Sequence, residues 1–146
     1  MIKTTFRKVL SANDVGATGS HQAGIHIPKS ETELLAFLPQ LNPKIKNPDV
    51  WIDCIDENGT TRRFRFVYYN NRLHEAGTRN EYRITHMTEY FRETKARAGD
   101  SLELSCDQGQ LHYSIRVINE PITIPLLNEE ESVYRIKLKS SWRRVH

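Results

Sequence analysis

Side chains able to read a base edge or clamp a phosphate crowd one stretch of this chain. Between Arg62 and Arg97 stand nine basic residues, Arg62, Arg63, Arg65, Arg72, Arg79, Arg83, Arg92, Lys95 and Arg97, opposed by Glu75, Glu81, Glu89 and Glu93. All but Lys95 are arginine. A guanidinium is a planar fork that can take guanine O6 and N7 together or hold a phosphate, and a glutamate can accept from cytosine N4. Arg72, His74, Arg79 and Asn80, running on into Arg83, give the polar segment 70–80 the donors to enter a groove. For charge pattern alone, a solvated surface is the competing reading. A second polar segment, residues 11–21 (SANDVGATGSH), carries Gly16 and Gly19, where the backbone can turn sharply or approach a partner closely. No lysine follows Gly19, so the phosphate-cradling GxxxxGK[ST] pattern is missing and nucleotide hydrolysis is disfavoured.

Metal-assisted hydrolysis needs clustered carboxylates and often a lysine. Pro48 and Asp49, with Glu93 and Lys95 much later, match a PD...ExK pattern superficially. Asp49 opens an expected strand while Glu93 and Lys95 sit on an expected surface helix, so the match is discounted. The histidines (His21, His26, His74, His86, His112, His146) lack metal-ligand spacing, and no Gly-x-Ser-x-Gly elbow is present. Cys54 and Cys106 lie in alternating apolar runs without CxxC spacing and read as buried free thiols rather than zinc ligands.

The elements that must position the polar segments are mostly strands. Two-residue alternation predicts strands over residues 5–10, 23–27, 50–56, 61–69, 101–106, 111–118 and 132–138, with 81–85 extended. Asn58-Gly59 between two such runs signals a hairpin. Ser30 with Glu33 fits a capping box for a short helix carrying Leu34, Leu35 and Leu38, and residues 88–95 read as a second helix with Tyr90 and Phe91 facing inward. Residues 70–80 read as an exposed loop. Seven or eight strands with two short helices make a mainly β barrel or sandwich.

The chain has 146 residues and a formal charge of only +3. That length suits a single domain, residues 1–146, with room for one core. The small net charge conceals segregation: acidic residues gather over 49–57 and 129–131, and the tail adds Arg135, Lys137, Lys139, Arg143 and Arg144 with no acid among them. The N-terminal residues lack the apolar core of a secretory signal and no run is long enough to span a membrane, so a cytoplasmic protein is expected.

Residues 10–28 (LSANDVGATGSHQAGIHIP) closely resemble the start of the N-terminal effector-binding domain of EcoRII-type restriction endonucleases. Residues 68–72 (YYNNR) and 78–85 (TRNEYRIT) resemble the second signature of the same domain, in order and at the family's spacing. Residues 97–104 (RAGDSLEL) look like the strand-entry turn of the wider superfamily, which includes plant transcription-factor domains. The resemblance implies a DNA-binding pseudobarrel of seven to eight strands whose two arms, one per signature, grip the major groove like a wrench. It implies base reading by His21 and His26 in the first arm and by Arg79, Glu81, Tyr82 and Arg83 in the second. Lys8, Ser11, Asn13, Asp14, Thr18, Gly19, Ser20, Arg72, Gly77, Thr78 and Asn80 would contact the DNA backbone or shape the arms. His26 stands where a relative has Tyr, and Gly77 and Tyr82 where a relative has Lys; these departures imply lost contacts or an altered target. If Lys8 and Arg72 neutralise phosphates, each sets part of the salt dependence.

The function implied is recognition of a short, G/C-rich, nearly palindromic duplex of the CCGG or CCWGG kind, by a monomer acting as effector or targeting module of a bacterial or archaeal type II restriction enzyme. On this reading the chain alone is not an enzyme and needs no cofactor, while Mg would serve a fused or associated nuclease domain. The alternatives are a stand-alone Mg-dependent nuclease using Asp49, Glu93 and Lys95, and a regulator-like DNA-binding or protein-binding barrel. The last would need an apolar patch, which neither polar segment offers.

Overall fold

A computed structural model describes residues 3–16, 24–74, 77–107, 112–120 and 142–145. Strand β1 (Lys3–Val9) is followed by β2 (Ile25–Ile27), helix α1 (Thr32–Phe37), β3 (Asp49–Ile55) and β4 (Thr61–Tyr69). Then come α2 (Asn71–His74), β5 (Glu81–Thr85), α3 (Thr88–Glu93), β6 (Ser101–Asp107), β7 (Tyr113–Ile118) and β8 (Trp142–Arg144). The strands form one sheet in the order β2-β5-β4-β3-β7-β6-β1-β8. All neighbours are antiparallel except β3 and β7, which touch in parallel over Cys54 opposite Tyr113 and Ile55 opposite Ser114. The edge strands meet as well: the Trp142 indole N–H in β8 donates to the His26 carbonyl of β2 at 3.3 Å. The sheet is therefore a nearly closed barrel; of the mainly β barrel or sandwich expected from the alternation the barrel is borne out, as is the pseudobarrel that the resemblance implies.

Alternation explains how the barrel fills. On β4, Phe64 and Phe66 point inward while Arg63 and Arg65 point out, and on β2 Ile25 and Ile27 flank an outward His26. Phe6, Leu102, Leu104, Ile84 and Ile115 join them in one core. Helix α1 contributes Leu34, and Phe37 bridges Phe6 and Tyr113 at ring separations of 5.1 and 5.2 Å. Helix α3 buries Tyr90 and Phe91 as expected, with the Tyr90 hydroxyl donating to Glu57 at 3.1 Å.

Several expectations need correction. Ser30 does not cap α1. The turn after Pro28 takes the Thr32 N–H to the Ser30 carbonyl, so the helix starts at Thr32, one residue later than a Ser30 cap requires, and Glu31 stands at the N-cap without a side-chain bond. Residues 70–80 are not wholly an exposed loop. Asn70 is fully buried, exchanging amide bonds with Asn47 and donating to the Pro43 and Ile45 carbonyls, and this anchor lets residues 71–74 close one helical turn. That makes three short helices among the described residues where two were expected. Cys54 is buried as expected, and burial pushes its thiol up to about 12, but Cys106 is only half-buried. The strand expected over 132–138 lies outside the described residues, while β8 has no counterpart in the alternation pattern. No helix among the described residues is long and apolar enough to cross a membrane.

Candidate nucleic-acid interface

The first polar segment springs from β1 and returns at β2. Its root is tied by a buried ion pair, Lys8 Nζ to Asp14 Oδ2, with both side chains less than one-tenth exposed (7% and 8%). The same carboxylate oxygen accepts the Ser11 N–H at 2.9 Å, and the Ser11 hydroxyl accepts the Asp14 N–H at 3.2 Å. The loop then turns through Asn13, whose carbonyl accepts from Gly16. It closes where the Gly24 N–H donates to the Asp14 carbonyl. A Cβ on Gly24 would lie 2.8 Å from the Ile84 carbonyl, so only glycine lets the returning chain pass this close to β5. Lys8 is thus placed at the root of this segment, buried against the Asp14 carboxylate rather than standing out in solvent. Thr18, Gly19, Ser20 and His21 lie outside the described residues.

The second segment leaves β4 and enters β5. Register places His26 of β2 opposite Arg83, with Glu81 two residues along the same face. Glu81 is the hub: its carboxylate accepts from Arg79 Nε at 3.1 Å and lies 3.4 Å from Arg83 Nη2 and 3.8 Å from His26 Nε2. These four side chains are 24% to 46% exposed. Burial pulls the Glu81 carboxyl upward, but the Arg83 and Arg79 guanidinium groups outweigh it and the net shift is below the usual carboxylate range. Partial burial lowers the His26 pKa; Arg83 and Lys8 add to this against Glu81 and Asp14. At neutral pH the cluster therefore holds two guanidinium cations, one carboxylate and a neutral imidazole. Arg79 also lies over the Tyr69 ring, 4.0 Å from its centre, and Arg83 Nε is buried without a hydrogen-bond partner.

Other expected site residues sit around this cluster. Thr78 and Arg72 are exposed, and Asn80 accepts a hydrogen bond from the Tyr68 hydroxyl. A Cβ on Gly77 would meet Asn71 Cγ at 2.5 Å, so the lysine a relative carries there has no room unless Asn71 moves. Tyr82 faces away from Arg83: its ring stacks on Tyr68 (4.3 Å, 9°) and near Phe66, on the core side of β5. Leu73, 58% exposed on α2, is an apolar exception in a segment expected to offer none.

The arginine-weighted block is narrower than its sequence suggests. Antiparallel pairing of β3 and β4 sets Asp53 opposite Arg63 and brings Asp49 diagonally to Arg65, while Arg62 bridges Asp56 and Glu93. The acidic segment 49–57 thus neutralises part of the basic block instead of lying apart from it. The same register separates the PD...ExK residues. Arg62, the partner of Glu93, stands opposite Cys54, five positions and about 16 Å along the strand from Asp49. No group of three or more His, Cys, Asp and Glu side chains among the described residues could hold a metal ion. Tyr69 and Asn71, which touch Arg79 directly, were not singled out from the sequence. Tyr69 was legible through alternation, since it faces the same side as its register partner Glu81.

Comparison with known proteins bears on this geometry. Residues 2–111 match the family model described as restriction endonuclease EcoRII, N-terminal. The type II restriction enzyme EcoRII of Escherichia coli is 43% identical over 98 residues, covering 60% of this chain; the match spans 22% of that enzyme's length. Among solved structures, the Arabidopsis FUS3-DNA complex superposes with a TM-score of 0.62 at 22% identity, covering 81% of this chain and 99% of the other. That likeness is one of fold. The family match takes in both polar segments and the whole His26, Arg79, Glu81, Arg83 cluster, and on it the chain belongs to the family of restriction endonuclease EcoRII N-terminal domains.

Proposed function

We propose that this chain is a sequence-specific double-stranded DNA recognition module of a type II restriction enzyme, working inside a bacterial or archaeal cell. The observation that carries the reading is the convergence of Arg79, Glu81, Arg83 and His26 on one part-exposed patch between the roots of two polar arms. Two arginine forks and a carboxylate acceptor side by side suit the donor and acceptor pattern of adjacent G and C pairs in a major groove. The target is a short, G/C-rich, nearly palindromic duplex of the CCGG or CCWGG kind. One asymmetric barrel binds it as a monomer, in either of two equivalent orientations.

Within the cluster the internal ion pairs hold the forks ready in the free protein. On binding, each guanidinium exchanges part of its contact with Glu81 for guanine, and Glu81 accepts from a cytosine amine. Arg72 contacts the phosphate backbone, and His21 of the first polar segment adds to base reading. Cleavage belongs to a separate nuclease domain, fused or associated, which supplies its own carboxylates and Mg. The module's role is to license or target that domain as an effector.

Selection from a randomised duplex library tests the reading. A short G/C-rich motif should enrich over successive rounds. Recovery of unrelated sequences, with equal affinity for selected and starting pools, would refute it.

A further inference from the structure

Residues 68–71 run from the end of β4 into α2, and each of their side chains meets the second arm or its root. Tyr68 and Tyr69 face opposite sides because successive strand residues do. On the core side, the Tyr68 hydroxyl donates to Asn80 Oδ1. On the outer side, the Tyr69 ring lies beneath the Arg79 guanidinium. Asn70 fastens the root to the segment around Pro43 and Ile45. Asn71 Oδ1 accepts the Arg79 N–H at 2.9 Å, and the Arg72 N–H donates to the Arg79 carbonyl at 3.1 Å. Arg79 is therefore held at its backbone N–H, at its carbonyl and across the face of its guanidinium.

The face contact matters most. A guanidinium laid on a ring uses its π face and keeps its in-plane N–H edge for hydrogen bonding. A free arginine must give up rotamer entropy when it docks, and one already resting on a ring has surrendered part of it. We propose that Tyr69 is a positioning residue for base reading, a platform that pre-sets the Arg79 fork before DNA arrives. This rests on the reading function proposed above for Arg79.

The test compares Tyr69→Leu, which removes the ring, with Tyr69→Phe, which keeps it. Binding to a library-selected duplex and to a scrambled duplex of equal length is measured at several salt concentrations, with the Arg79 Nε–Hε resonance recorded in the free protein. Tyr69→Leu should lower the preference for the selected duplex about three- to tenfold and move the resonance by loss of the ring current. Scrambled-duplex affinity and the salt slope should stay unchanged, and Tyr69→Phe should restore both altered readings. Equal loss on both duplexes, or an unchanged preference in Tyr69→Leu, would overturn the proposal. Arg79→Ala separates the two levels: if it abolishes the preference and Tyr69→Leu leaves the preference unchanged, positioning alone fails. If Arg79→Ala leaves the preference intact, the reading function of Arg79 fails and the platform falls with it.

Discussion

The two arm roots use the same chemistry, a carboxylate with basic partners, at opposite ends of the burial scale. Lys8 and Asp14 are closed off from solvent, and Asp14 is also bonded to Ser11. Glu81, with Arg79, Arg83 and His26, is partly open to water, at 24% to 46% exposed. A buried pair is locked, because separating it leaves an uncompensated charge in a low-dielectric setting. An exposed pair exchanges partners at little cost, since surface ion pairs are worth about 0–1 kcal/mol. On the proposed function, burial thus separates an anchor from a reader even though both are built from like residues.

The sharpest way to break this contrast is at the anchor. Asp14→Ala strands the Lys8 ammonium and should cost about 3–5 kcal/mol of unfolding free energy in a urea titration, while Lys8→Met combined with Asp14→Leu should recover much of it. At the reader the effect moves from stability to specificity. Arg79→Ala should cost about 1–3 kcal/mol on the selected duplex while shifting stability by less than about 0.5 kcal/mol. Equal losses on selected and random duplexes would make Arg79 a backbone contact instead. Arg72→Ala should reduce the slope of log affinity against log salt by about one and leave sequence preference alone. The smallest effect is in pH. The fold favours the ionised form of Glu81, so its contribution to stability is present above the ordinary value near 4.5 and is lost as pH falls through the lowered folded value. The stability gap between the native protein and Glu81→Gln, measured by urea titration across pH 3 to 7, should therefore narrow only on the acid side.

Strands β4 and β5 were legible to the residue, because alternation and the turn at Asn58-Gly59 depend on local sequence. Strand β8 was not: three residues carry no readable period, and Trp142 earns its place by reaching the His26 carbonyl across the barrel's seam. Helix α2 was hidden for a similar reason, since it hangs on the long-range amide bonds of Asn70. At the candidate site, Arg79 and Arg83 were visible as donors of the second polar segment, while Glu81 and His26 were marked as readers only through the family resemblance. Lys8 looked like any exposed lysine until its carboxylate partner, six residues away, appeared beside it. The pairing of Asp49 and Asp53 with Arg65 and Arg63 required the register of β3 on β4, which composition cannot supply.

The contrast between anchor and reader is tested most directly by following the arginine Nε–Hε resonances of the protein during DNA titration. The selected duplex should shift the Arg79 and Arg83 signals, and a random duplex at the same salt should leave them nearly in place, with the Ser11 and Asp14 amides steady in both titrations. Equal shifts of Arg79 and Arg83 with the two duplexes, or movement of Ser11 and Asp14 in their stead, would contradict the assignment of reading to the exposed cluster.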